Sequence, residues 1–306
     1  MSDTANGQRM LGPGSRVLVT GARGKVGRAA VDALVAAGFD VTATDIARPV
    51  YDADASNAVR YVQADLTNGA DAFSVVRGMD AVVHAAGIPE PTKNTPHTVF
   101  LTNVTATFNV VEAAAHSTVR RFVNLSSDSV SGMTWAHRPI AARFCPIDET
   151  HPDLAHDAYG QSKRVSEVLC DGLVGRSDAT AVSIRPTWVL TPESYAANLA
   201  PFFADRDLSS AVFWAYIDVA DLADLIVAAV GRATPGHEVV YAAAADNIGG
   251  RDLAAEMARL HPEVPLRELA RVDASGISSA KAERLFGWRA TRSWRDHLDD
   301  DGHPLG

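Results

Sequence analysis

Short apolar runs alternate with amphipathic stretches along the first half of the chain. Val17, Leu18 and Val19 make the first run, of a length suited to a buried strand. Residues 26–37 then place Val26, Ala30, Leu34 and Ala37 at helical spacing, and Gly38 follows as a stop. Residues 40–44 and 59–63 read as the second and third strands, 70–77 as a helix, and Ala81 to His84 as the fourth strand. A long helix over 96–116 carries Asn103, Phe108, Val111 and Ala115 at helical intervals, and Phe122 to Leu125 is the fifth strand. This strand–helix order predicts an α/β fold with a doubly wound, mainly parallel sheet. Further on, 217–230 reads as a helix capped near Asp218, and Val239 to Ala242 as a strand. A helix over 251–261 ends at Pro262, and a last short helix covers Ser278 to Phe286. The tail from Asp299 onwards is expected to fray.

The first apolar run ends in Thr20 and three glycines, Gly21, Gly24 and Gly27. A tight turn between strand and helix lets the backbone approach a pyrophosphate, whose charge the helix N–H groups receive. Glycines also serve turns for conformational reasons alone. Asp45 closes the second strand, where a carboxylate accepts hydrogen bonds from adenosine ribose hydroxyls and repels the extra phosphate of NADP. A solvated aspartate at a strand end is the other reading, and Arg48 nearby could pair with that phosphate. Asp65 and Leu66 follow the third strand, placed to lie beside adenine. Ala85, Ala86 and Gly87 follow the fourth, leaving room for backbone against a cofactor. His84 reads as a packing residue rather than an acid or base, and Asn103 as a tie between its helix and the active-site strand.

The 306 residues, 47% of them apolar, suffice for a well-buried core in one large domain or one domain with an appendage. A net charge of −9 argues against a general nucleic-acid binder. Two cysteines, Cys145 and Cys170, make neither a disulfide framework nor a metal cluster, and no metal is expected. The first ten residues lack an apolar export segment, and no run of membrane-spanning length occurs. No membrane association is expected, and the cytoplasm is the default location.

The most informative polar stretch is YGQSK, residues 159–163. On a helix, Tyr159 and Lys163 share a face. A nearby ammonium stabilises a tyrosinate and lowers its pKa. Such a tyrosine removes a hydroxyl proton while nicotinamide takes hydride from the same carbon, and protonates the alkoxide in reverse. Ser126 and Ser127, after the fifth strand, are the candidates to hydrogen-bond the reacting oxygen. Strand C-terminal ends are where open α/β sheets place their chemistry.

These stretches together resemble the extended short-chain dehydrogenase/reductases of the NAD-dependent epimerase/dehydratase family. The likeness runs through TGARGKVG, Asp45, residues 64–66, HAAG, Asn103, LSSDSVSG, YGQSK, IRP at 184–186, WAYIDVADLA and SSAKAERLFGW. It implies a Rossmann-type core over 15–186 and a mainly substrate-binding region over 187–298, with elements returning to the core. It implies NAD as cofactor, held by Gly21, Arg23, Gly24, Lys25, Val26 and Gly27 at the turn, with Asp45, Asp65 and Leu66 about the adenosine. Ala85, Ala86, Gly87, Asn103 and Pro186 would complete the cofactor site with Tyr159 and Lys163. By the same resemblance Ser127, Tyr159 and Lys163 are catalytic, and Ser126, Ser127, Asp128 and Arg185 are expected at the substrate.

Departures from the family narrow the reaction. Ser131 stands where many sugar-nucleotide epimerases carry a tyrosine, and Ser129 where 4,6-dehydratases follow Asp with Glu. Elimination thus lacks its second acid/base group. The segment after Pro186 is short for a nucleotide-sugar enzyme and is similar to uronate dehydrogenases at TPESY, residues 191–195. Arg138, Arg143 and several histidines stand near the expected cleft, either to bind an anion or as a solvated rim. Three readings follow. The first is an oxidoreductase acting on a small sugar, sugar acid or polyol. The second is an NAD-retaining epimerase working through a keto intermediate. The third is a non-catalytic NAD-binding regulator or scaffold. A homodimer is the habit of such relatives.

Overall fold

A computed structural model describes residues 10–47, 59–138 and 140–305. Arg48 lies outside the described residues. The chain opens with β1 (Arg16–Thr20), α1 (Lys25–Ala36), β2 (Asp40–Asp45), β3 (Val59–Gln63), α2 (Gly69–Val76) and β4 (Ala81–His84). It continues with α3 (Pro96–Ala115), β5 (Arg121–Leu125), α4 (Ala158–Arg176) and β6 (Thr180–Pro186). Then come β7 (Trp188–Leu190), α5 (Tyr195–Ala204), β8 (Tyr216–Asp218), α6 (Val219–Gly231), β9 (His237–Ala242), α7 (Leu253–Leu260) and α8 (Ala280–Phe286).

Seven of these strands form one parallel sheet in the order β3-β2-β1-β4-β5-β6-β9. This is the Rossmann-type doubly wound arrangement. Helices cover both faces, so β4 and β5 are buried along their whole length rather than alternating in and out. Val17, Val19 and Val123 pack with Leu34 of α1 and Ile226 of α6 on one side. Leu18, Val82 and Phe122 pack with Val110 of α3 and Leu173 of α4 on the other. The chain runs outward from β1 to β3, then returns to place β4 on the other flank of β1. The C-terminal ends of β1 and β4 therefore border the crevice where such sheets bind ligands.

A second apolar cluster gathers around the two-stranded β7–β8 sheet. Leu190, Tyr195, Leu199, Trp214, Tyr216, Leu253 and Trp294 are buried there, together with Cys145 and Ile147 from the segment before α4. Sequence reading leaves out β7, β8 and α5. Each of the two strands is three residues long, too short to show a period, and α5 carries Pro201 in its interior.

On α3, Val111 is buried and Phe108 exposed. One expectation needs correction. The tail does not fray as far as Leu305. Asp299 N donates to His303 O at 2.9 Å and Leu305 N to His297 O at 2.9 Å, so the last turn closes on itself. Among the described residues, no helix is long and apolar enough to cross a membrane.

Candidate active site

The glycine turn is shaped by close approach. Gly21 has φ +63°, and a Cβ on it would stand 2.7 Å from the Ala86 Cα. A Cβ on Gly27 would stand 2.1 Å from the Gly21 carbonyl oxygen. The turn is thus pressed between the end of β4 and the first turn of α1. Gly24 caps α1 without a side-chain bond, and the first turn holds no acidic residue. The leading N–H groups remain for an anion.

Asp45 faces this turn. Its Oδ2 accepts from Arg23 N at 3.0 Å and its Oδ1 from Ala47 N at 3.0 Å, leaving lone pairs on both oxygens. Asp65 uses Oδ1 on Thr67 N and Thr67 Oγ1, at 2.9 and 2.7 Å. Leu66 is buried, and its carbonyl accepts from Asn109 at 2.9 Å. Val26 packs against the core. Lys25 reaches away from the turn, and its Nζ donates to Val189 O at 2.8 Å, fastening the start of α1 to β7. Pro186 ends β6 opposite Ala242.

His84 is 2% exposed, between Thr20 Oγ1 at 2.9 Å and Thr107 Oγ1 at 3.1 Å. Burial, then the Lys163 charge, pushes it down to about 3. It is neutral packing, as its sequence context suggests. Asn103 exchanges bonds with both backbone groups of Ile88, at 2.7 and 3.1 Å, and donates to Ser162 Oγ at 3.2 Å. It therefore ties α3 to the loop after β4 and to α4.

The catalytic candidates meet at the end of β5. Asp157 caps α4 by accepting from Tyr159 N at 3.0 Å and Gly160 N at 2.9 Å, which fixes the turn that carries Tyr159. Lys163, one turn on, lies 5.7 Å from the Tyr159 ring centroid. Ser127 begins a single helical turn over 128–131 and accepts from Ser129 N at 3.1 Å, and its hydroxyl proton is shared between Ser129 Oγ at 3.0 Å and Asp128 Oδ1 at 3.1 Å.

The expected lowering of Tyr159 by Lys163 is not what the structure shows. Burial raises the phenol above its ordinary value; the Ser127 hydroxyl pulls it down, and Asp128 and Asp157 push it up. Lys163 is itself desolvated, pushed down to about 8, and its Nζ donates to Leu125 O at 2.7 Å. Asp128 is raised to about 6 by burial, against the pull of its hydrogen bonds.

Ser126 and Arg185, expected at the substrate, are committed elsewhere. Ser126 Oγ donates to Glu167 Oε1 at 2.6 Å. Arg185 donates to Glu167 at 2.8 and 2.7 Å and to Asp153 at 2.8 Å. Sequence reading missed Glu167, although it sits four residues after Lys163 and eight after Tyr159, on the same helix face. It also missed Asp157, whose type and place ahead of the helix are an N-cap signal.

A cavity of about 610 Å³ opens beside this cluster, between the loop before α3, residues 133–137 and the first turn of α4. Thr92, Thr134, Trp135, His137, His156 and Gln161 line it, with no lysine or arginine among the lining residues. Arg138 and Arg143 are exposed outside that lining. Thr134 joins the cavity to the cluster, donating to Asp128 Oδ2 at 3.3 Å.

Residues 17–243 match the family described as NAD dependent epimerase/dehydratase. The chain belongs to the NAD-dependent epimerase/dehydratase family. Its cofactor is NAD, and the close-packed glycine turn, the uncapped start of α1 and the Asp45 carboxylate fit that group.

The 3-beta-hydroxysteroid dehydrogenase of Mycolicibacterium neoaurum is 32% identical over 57% of this chain and 47% of its own length. The match thus spans about half of that relative. The L-arabinose 1-dehydrogenase (NAD(P)(+)) of Haloferax volcanii is 32% identical over 58% of this chain and 69% of its own. The uronate dehydrogenase of Pseudomonas putida is 26% identical over 76% and 77%. A short-chain dehydrogenase/reductase superfamily protein from Agrobacterium tumefaciens, solved with bound NAD, superposes with a TM-score of 0.70. At 20% identity over 92% of this chain and 94% of that one, it shares the fold of this epimerase/dehydratase family member.

Proposed function

We propose that the chain is an NAD-dependent oxidoreductase acting on a carbinol carbon of a small sugar, sugar acid or polyol. The observation that carries this reading is the grouping of Tyr159, Ser127 and Lys163 about the end of β5, two strands along the sheet from β1 and its glycine turn. NAD, when bound, supplies the hydride acceptor. Ser127 orients the reacting oxygen, Tyr159 takes its proton, and Lys163 holds a nicotinamide ribose hydroxyl. Residues after 187 supply the outer walls of the substrate site.

Two observations favour a free sugar over a nucleotide sugar. The adjoining cavity has no lysine or arginine in its lining to meet a diphosphate. Two matched relatives carry the names of an arabinose and a uronate dehydrogenase. Ser129, in place of a second carboxylate, disfavours loss of water.

The test is NADH formation, followed by nicotinamide absorbance, against aldoses, free uronic acids and polyols. Turnover that falls at least about 100-fold in Tyr159→Phe supports the reading. Conversion of a sugar to its isomer without net NADH moves the assignment to an epimerase. NAD binding without turnover, unchanged by Tyr159→Phe, moves it to a non-catalytic role.

A further inference from the structure

Two carboxylates border the cavity beside Tyr159. Asp157 is part of its wall: Oδ1 caps α4, while Oδ2 is buried without a hydrogen-bond partner. Asp128 stands behind Thr134, a wall residue whose Oγ1 donates to Asp128 Oδ2 at 3.3 Å. Asp157 is 3% exposed and Asp128 5%. Among the described residues, no lysine, arginine or histidine hydrogen-bonds either one.

The cations around the site are held elsewhere. Lys163 Nζ donates to Leu125 O, and Arg185 donates to Glu167 and Asp153. Lys93 pairs with Glu90 at 2.6 Å, and Arg138 and Arg143 are exposed outside the lining. His156 Nε2 accepts from His137 N at 3.0 Å, so that nitrogen carries no proton. His137 is exposed, where solvent screens any charge it takes. Beyond residue 187, Arg259, Arg292 and Arg295 are each paired with two carboxylates.

We propose that the cavity takes an uncharged polyhydroxylated substrate, an aldose or an alditol, and rejects the corresponding sugar acid, with Asp128 and Asp157 as the groups that set this selectivity. This rests on the oxidoreductase reading and narrows it. A sugar carboxylate entering the cavity loses water and meets no cation to replace it. It also meets the field of two aspartates. Burial raises Asp128 to about 6, which still leaves it largely ionised at neutral pH. Sugar hydroxyls both donate and accept, so Thr92, Thr134 and Gln161 in the wall can stand in for the water they lose. Trp135 offers apolar surface to the C–H groups of the same ligand. Selectivity here comes from what repels the wrong substrate as much as from what holds the right one.

The test compares glucose, galactose and mannose, each with its own uronic acid, and adds pentoses and alditols to the panel. In any pair that is oxidised at neutral pH, the aldose is expected to lead in kcat/KM by at least about tenfold. Asp128→Asn is expected to narrow that ratio at least about threefold, whatever it does to the rates themselves. Gln161→Arg places a cation in the lining and is expected to raise kcat/KM for the uronic acid about tenfold. A uronic acid that equals or exceeds its aldose overturns the proposal, and so does an unchanged ratio in Asp128→Asn or an unchanged uronic-acid rate in Gln161→Arg. Binding to the NADH complex, which takes no further hydride, is followed in parallel by nicotinamide fluorescence. There too the aldose is expected to bind at least about tenfold more tightly than its uronic acid. Equal binding within a pair, or no binding by any member of the panel, overturns the selectivity. A wild type that oxidises nothing counts against the oxidoreductase reading, while the binding comparison stands apart from it.

Discussion

Glu167 grips Arg185 through both carboxylate oxygens, at 2.8 and 2.7 Å, with both side chains buried. The pair joins α4 to β6. It therefore pins the helix bearing Tyr159 and Lys163 to the strand ending at Pro186. Ser126 donates to the same Glu167 oxygen, drawing the end of β5 into the assembly.

Removing one partner of a buried pair leaves an uncompensated charge, at a cost of about 3–5 kcal/mol. Arg185→Met is expected to lower unfolding stability by that amount in denaturant titrations. Combining it with Glu167→Leu is expected to recover part of the loss, because no lone buried charge remains. A variant of normal stability whose substrate KM alone rises would return Arg185 to the substrate-binding role that its position in the IRP stretch suggests.

The glycines of the turn differ in what they tolerate. A methyl at Gly27 would fall 2.1 Å from a carbonyl oxygen of the turn, and backbone must move to admit it. At Gly24 the nearest atom would be 3.2 Å away, a tight contact that small adjustments relieve. Gly27→Ala is expected to weaken NAD binding by at least about tenfold in calorimetric titration, while Gly24→Ala changes it less than about threefold. Equal losses would mean that backbone freedom, rather than packing of α1 against the turn, sets the geometry.

The core was legible because its strands are buried on both faces and its helices show period. Val17–Val19, Ala81–His84 and Phe122–Leu125 announce themselves as apolar runs, and Leu34 marks the inner face of α1. The cluster around Tyr159 was legible as spacing on a helix. What spacing cannot convey is the partner of each polar group. Arg185 sits in a recognisable stretch, yet its use depends on Glu167, which a different element brings to it. Lys25 stands in the glycine turn but bonds a carbonyl 164 residues away. The Tyr159 phenol follows the same logic. Its level is set first by burial, then by the Ser127 hydroxyl and by Asp128, and none of these is visible in a Tyr/Lys pair.

His84 makes stability depend on pH in a definite direction. In the folded chain burial holds it neutral to about pH 3, while an unfolded histidine takes a proton near its ordinary value of 6.5. Between these values the unfolded state binds more protons, so acid favours unfolding. This contribution is fully present above 6.5 and is lost as pH falls. From neutral pH to about pH 5 it amounts to about 2 kcal/mol. Asp128 works the other way, since its carboxyl is raised and the folded state takes up its proton first. His84→Asn, able to bond to both threonines, is expected to flatten the acid side of a denaturant-derived stability profile by that amount. An unchanged acid slope would show that His84 becomes protonated in the folded state, with Thr20 turning to accept from its Nδ1 while Thr107, which donates to Asn103 O, goes on accepting from Nε2.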